Sequence, residues 1–164
     1  IHCELEPESR PTALAWARLG ELYRQMGKEE QAREALEKSI ALFEILKHEQ
    51  PEIAQPLTSL ARIDIDQGDY SAARLCLNQA FATHRAHRSD DNVILTPVLI
   101  EQGVLQEVEG NMSAAQTLYN RALRVLDGAV LSTHTDLRRV NQRLAQVALR
   151  PIQRNKHPQN AAKI

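Results

Sequence analysis

Three glycines set the frame of this chain. Gly27, Gly68 and Gly110 stand 41 and 42 residues apart, and the residues around them recur with them. Five positions after each comes an alanine: Ala32, Ala73 and Ala115. Four further on are Leu36, Leu77 and Tyr119, and three beyond those Ser39, Ala80 and Ala122. Before the glycines, Gly20, Ala61 and Gly103 align as small residues. A period of this length means copies of one small unit, each too thin to bury its apolar face alone. Spacings of three and four put the aligned residues on one face of a helix. The glycine closes one helix in the left-handed conformation that side chains resist. Asp69 and Asn111 directly follow two of the glycines and are expected to cap the next helix. The aligned alanines let two antiparallel helices approach closely, with Leu36, Leu77 and Tyr119 filling the space beside them. The unit reads helix, tight turn, helix.

Composition agrees. Ala, Leu, Gln, Glu and Arg are abundant, which favours helix. Aromatic residues are 4%, so the core is built from Leu, Ala, Ile and Val. With 43% apolar and 25% charged residues the chain is neither disordered nor collagen-like. No stretch approaches the ~18 apolar residues of a membrane helix, and a formal net charge of −1 names no partner. Two cysteines, Cys3 and Cys76, are too few for a disulfide scaffold, which suggests a reduced, cytoplasmic protein. The sequence begins at Ile1 without a charged start and apolar run, so the expectation is a processed chain or an excised piece of something longer.

The pattern predicts helix pairs over about 12–47, 52–88 and 93–127. Within them the helices run about 12–26, 29–47, 52–67, 70–88, 93–109 and 112–127. A last helix at about 135–149 has a stripe of Leu137, Val140, Leu144, Val147 and Ala148 and reads as the cap of an open array end. Residues 1–150 form one domain in this reading, and 151–164 a polar, basic tail after Pro151. The longer connections, 48–51, 89–92 and 131–134, fall on one edge of the stack.

At Trp16-x-x-Leu19-Gly20-x-x-Tyr23, followed by Ala32-x-x-x-Leu36, the chain resembles the tetratricopeptide repeat family. Later copies are looser: Leu57, Leu60, Ala61 and Asp64, then Leu99, Gln102, Gly103 and Gln106. The usual repeat has 34 residues. The longer units here resemble those of kinesin light chains and of maltose-regulator-like bacterial transcription factors. The resemblance implies an all-α, right-handed superhelical solenoid of antiparallel helix pairs, three repeats plus a capping helix. Its first helices would line a concave groove holding a peptide or helix of another protein.

Carrying the family's groove positions over gives Ala17, Glu21 and Arg24 in the first unit, and Thr58, Arg62 and Ile65 in the second. The third gives Ile100, Val104 and Glu107, and the last helix Arg139, Gln142, Arg143 and Gln146. This groove would be apolar in its middle and charged at its ends. Relatives that grip the acidic C-termini of heat-shock chaperones use Lys and Asn where this chain has Ala17, Glu21, Ser59, Pro97 and Glu101, so that role is rejected. Kinesin-light-chain-like units carry a groove Asn where Glu21, Arg62 and Val104 stand.

Nothing in the sequence assembles a catalytic set: no clustered glycines, GxSxG, HExxH or CxxC. No cofactor is expected and the chain reads as a non-enzyme. His84 and His87, with Asp90 and Asp91, have metal-ligand spacing, but interleaved Arg85 and Arg88 would repel a cation, and a charged helix end explains them better. Residues 137–164 contain seven bases and no acid, a candidate hook for an acidic partner. No aromatic residues interleave with these bases, so nucleic acid is disfavoured. The function expected is a protein-interaction module. The alternative is a sensory or regulatory segment of a larger signalling or transcription-regulating protein that responds to a small ligand. Apolar faces at the array ends suggest a homodimer.

Overall fold

The structure, a computed structural model, describes residues 8–46, 51–87, 95–127 and 134–149. Among them it has seven α-helices and no strand: α1 (Arg10–Gln25), α2 (Glu29–Ile45), α3 (Ala54–Gln67), α4 (Tyr70–His87), α5 (Thr96–Val108), α6 (Met112–Asp127) and α7 (His134–Leu149). The expected pairs are α1/α2, α3/α4 and α5/α6, closed by α7. The tail 151–164 lies outside the described residues, as do the connections apart from Pro51 and His134.

Local chemistry explains the helix ends. Ser9 Oγ accepts from the Thr12 N–H at 3.4 Å to start α1, and Pro11 and Pro97 occupy first turns, where no N–H is needed. Gly27, Gly68 and Gly110 have φ of 71, 82 and 85°, the left-handed turns that the spacing predicts. Asp69 caps α4, its Oδ1 accepting from the Ala72 N–H at 3.0 Å. Asn111 departs from expectation: its side-chain amide donates to Gln106 Oε1 at 3.1 Å, back across the turn.

The small-residue column has a steric reason. A Cβ on Gly20 would lie 2.6 Å from Leu36 Cγ, and one on Gly103 2.3 Å from Tyr119 Cε1. Leu36, Leu77 and Tyr119 are buried against these positions from the second helix of each pair. A main core runs from Ala13 in α1 to Val147 in α7, and a smaller cluster joins Ala32 and Leu36 of α2 to Leu60 and Ile63 of α3. Each first helix touches the next, α1 to α3, α3 to α5 and α5 to α7. The second helices α2, α4 and α6 each pack on the following first helix. The molecule is thus an all-helical solenoid. On α7, Val140 and Val147 are buried and Leu137 and Leu144 half-buried; Ala148 is exposed, at the margin of the expected stripe.

Candidate functional site

The layer of first helices carries a row of charge. On α1, Glu21 receives the Arg24 guanidinium at 2.6 and 3.1 Å and the Gln25 amide at 3.1 Å. Ser59 of α3 donates to the same carboxylate at 3.1 Å, joining the first two units. Burial alone would raise the Glu21 carboxyl, but the bonds from Arg24, Gln25 and Ser59 outweigh it and hold it at about 2.

In the middle of the row, Glu101 of α5 is 1% exposed, and its Oε1 is shared by two arginines. Arg62 of α3 approaches through Nε at 2.8 Å and through its terminal nitrogen; Arg139 of α7 comes to 2.5 Å. Glu101 Oε2 is buried without a hydrogen-bond donor. One turn and a half along α5, buried Glu107 accepts from the Tyr119 hydroxyl at 2.9 Å and from Arg143 of α7 at 3.3 Å. Burial, followed by the charge of Glu107, pushes the Tyr119 hydroxyl far up. Every neighbouring pair in the row α1, α3, α5 and α7 is therefore tied by at least one polar bridge, and the closing helix α7 by two.

Four arginines, Arg24, Arg62, Arg139 and Arg143, meet three carboxylates, Glu21, Glu101 and Glu107, and the charge of Asp66 also acts on Arg24, so the row is close to balanced. Glu101 and Glu107 are closed from solvent, whereas the guanidinium groups stay partly open. Around Glu101 and Glu107 the exposed part of the row is chiefly arginine N–H, held by the acids underneath.

Beside this row lies a cavity of about 460 Å³ at the N-terminal ends of the first helices. Leu14, Pro51, Ala54, Pro97 and Val98 supply its apolar wall, and Glu21, Arg62, His84 and Asp136 are among its polar lining.

The sequence-derived groove residues divide in two. Glu21, Arg24, Arg62, Glu107, Arg139 and Arg143 come together in the charged row. Ala17, Ile65, Ile100 and Val104 do not: all four are buried, Ile100 at 0%, and belong to the core. The expected apolar middle of the groove is therefore not a surface, because adjoining first helices and their partners cover it. Thr58 is buried too, its hydroxyl donating to the Ala54 carbonyl at 2.6 Å, although it borders the cavity. Gln142 and Gln146 are exposed on α7.

The reading by family positions missed the part played by Glu101. A lone carboxylate inside the apolar run Pro97–Leu105 was the signal for it, since such a group must find buried partners. It also missed the wall formed by Leu14, Pro51 and Val98, none of which is among the transferred positions. His84 borders the cavity, while the side chain of His87 and residues Asp90 and Asp91 lie outside the description; among the described residues no three candidate ligands gather. Cys76 is half-buried, and burial, then Asp64, pushes its thiol up to about 11, while Cys3 lies outside the described residues. Among the described residues no helix is long and apolar enough to cross a membrane.

Residues 11–86 match the family model described as Tetratricopeptide repeat. A search of curated proteins finds no match. Among solved structures, BtubC (BKLC) from P. vanneervenii aligns with a TM-score of 0.74 at 20% identity, covering 88% of this chain and 57% of that one. The chain thus spans little more than half the length of BtubC. The first TPR of Spaghetti (RPAP3), bound to the HSP90 peptide SRMEEVD, aligns with a TM-score of 0.55 at 20% identity over 84% of this chain and 96% of that one. The N-terminal domain of stress-induced protein-1 (STI-1) from C. elegans gives 0.54 at 16% identity over 81% and 94%. The helix pairs within residues 11–86 thus match the tetratricopeptide repeat family, and the described helices that follow continue the same fold.

Proposed function

We propose that this chain is a non-catalytic protein-interaction module that holds a segment of another protein along the face of α1, α3, α5 and α7. The observation that carries the reading is the arginine row. Arg62, Arg139 and Arg143 are each anchored by a buried carboxylate and keep donors free. Anchoring of this kind lowers the ordering cost of binding, and arginine is a preferred residue at interface hot spots. The guanidinium groups are more exposed than the carboxylates beneath them, which favours an acidic stretch in the partner, with an apolar side chain entering the cavity beside Leu14 and Pro97.

The HSP90 peptide belongs to RPAP3 and is not carried over to this chain. Glu21 is already engaged by Ser59, and Glu101 by two arginines, at places where a clamp for a terminal carboxylate needs open cationic and amide donors. An internal, amphipathic segment suits the face better than a chain end.

Selection from a random peptide library displayed on phage tests this. The selected peptides should be rich in Asp and Glu. Their affinity should fall by about tenfold or more in Arg62→Gln/Arg143→Gln, and stay unchanged in Leu75→Glu on α4, whose side chain is 72% exposed. Peptides that ignore the arginine variant and respond to Leu75→Glu would place binding on another face and overturn the reading.

A further inference from the structure

The repeat register singles out two residues of the third pair that depart from their columns together. On the second helices, Leu36 and Leu77 stand where the third pair has Tyr119. On the row α1, α3, α5 and α7, Arg24, Ile65 and Leu149 stand where α5 has Glu107. The two departures answer each other. Tyr119 is fully buried, and its ring packs on α5 at Gly103. One turn further along α5, its hydroxyl donates to Glu107 Oε1 at 2.9 Å. A leucine in this column would leave that buried oxygen without its donor.

The hydroxyl governs how Arg143 is held. Glu107 Oε2 receives Arg143 Nη1 from α7 at 3.3 Å, and among the described residues that guanidinium makes no other hydrogen bond. Glu101 supplies the contrast. No hydroxyl meets it, and it draws in two arginines, Arg62 through two nitrogens and Arg139 at 2.5 Å. A buried carboxylate oxygen without a donor pulls in whatever cation lies within reach, because its lost hydration is otherwise uncompensated. At Glu107 the tyrosine satisfies one oxygen with a neutral group from inside the core. The carboxylate then engages Arg143 at the other oxygen alone. Arg143 keeps unspent N–H groups on a side chain that is 32% exposed. An arginine held at one nitrogen can still meet a second carboxylate through two parallel bonds.

We infer that Tyr119 is a positioning residue of the binding face: its hydroxyl holds Glu107 from beneath, so that Arg143 is fixed by one nitrogen and offers a two-pronged edge to a carboxylate of the partner. The inference rests on the proposed binding of an acidic segment. It assigns Arg143 as the arginine that grips the segment, since Arg62 is spent at two nitrogens on Glu101.

Tyr119→Phe in the full chain keeps the ring and removes the hydroxyl, and Glu107 should then take Arg143 through both oxygens. Exchange of the Arg143 guanidinium protons with water, read by nitrogen-15 NMR without peptide, should slow several-fold. Affinity for an acidic peptide selected on the wild type should fall about fivefold with unchanged helix content. In a double-mutant cycle, Arg143→Gln should cost far less in the Tyr119→Phe background than in wild type, because the same grip is already lost. Arg143→Lys leaves the core untouched and carries the test if Tyr119→Phe loses its fold. It keeps a single contact to Glu107 but has no second prong, so α7 should keep its amide protection while affinity falls about tenfold. Full affinity in Arg143→Lys would overturn the inference. So would unchanged proton exchange with additive losses in the cycle, which would make the hydroxyl a core contact only. Both results leave the binding reading standing. A selected peptide that ignores Arg143→Gln in the wild type would overturn that reading, and the inference with it.

Discussion

Gly103 and Gly68 are both glycines of the repeat, yet different physics holds each in place. At Gly103 the constraint is space, since an added Cβ would overlap the buried ring of Tyr119. The ring is fixed by core packing and by its hydroxyl bond to Glu107, so it cannot swing aside cheaply. Gly103→Ala should lose about 1–2 kcal/mol, the overpacking cost offset in part by better helix propensity. At Gly68 there is open space, and the constraint is φ of 82°. Gly68→Ala should lose about 1 kcal/mol. Denaturant unfolding measures both, and a neutral Gly103→Ala would mean that the α5/α6 contact is looser than described.

Glu21 makes a prediction in pH. Its carboxyl is held at about 2 in the folded chain, against an ordinary value of 4.5. A depressed folded value stabilises above the ordinary value, and that stability is lost as pH falls from about 4.5 toward 2. The group is half-exposed, so solvent screening limits the contribution to about 1–2 kcal/mol. The stability gap between wild type and Glu21→Gln should be full above about pH 5 and close as pH approaches 2. A gap independent of pH would show that the substitution acts through packing, and not through the charge.

At the scale of elements, the helix pairs were legible because the glycine, alanine and leucine columns each answer one steric demand that recurs unchanged. The groove was half legible. Family positions on a first helix identify the side turned away from its own partner helix, but they do not say how much of that side the neighbouring first helices cover. Ile65, Ile100 and Val104 were lost to the core in this way. Arg62, Arg139 and Arg143 reached the surface because a guanidinium on a long stem can emerge past a buried contact. Glu101 needed three helices to be assembled before its role was visible.

That assembly predicts how α7 is held. Val140 and Val147 supply its buried contacts, and Arg139 and Arg143 tie it to α5 through Glu101 and Glu107. Glu101→Ala strands two half-buried guanidinium groups and should cost about 3 kcal/mol or more. The loss should appear first as faster amide exchange in α7, while α1 and α2 keep their protection. Unchanged exchange in α7 alongside a global loss of stability would mean that the triad does not hold the terminal helix.

For the molecule as a whole, solenoid architecture turns short-range repetition into one continuous face, and the charged row runs across all four first helices. Residues that could not be placed on a surface from sequence alone, chiefly Glu101, decide that this face presents arginine donors and not the expected apolar floor. The central claim is that these anchored arginines engage a partner. The most direct measurement is the association rate of a selected acidic peptide, followed by stopped flow across a range of salt, in wild type and in Arg139→Gln/Arg143→Gln. Steering by exposed charge is screened over a Debye length of about 10 Å at 0.1 M salt. The account predicts that the wild-type rate falls with salt, and that the variant associates more slowly at low salt with a shallower dependence. Equal low-salt rates in a folded variant would show that Arg139 and Arg143 only fasten α7 to the array, and would contradict the claim.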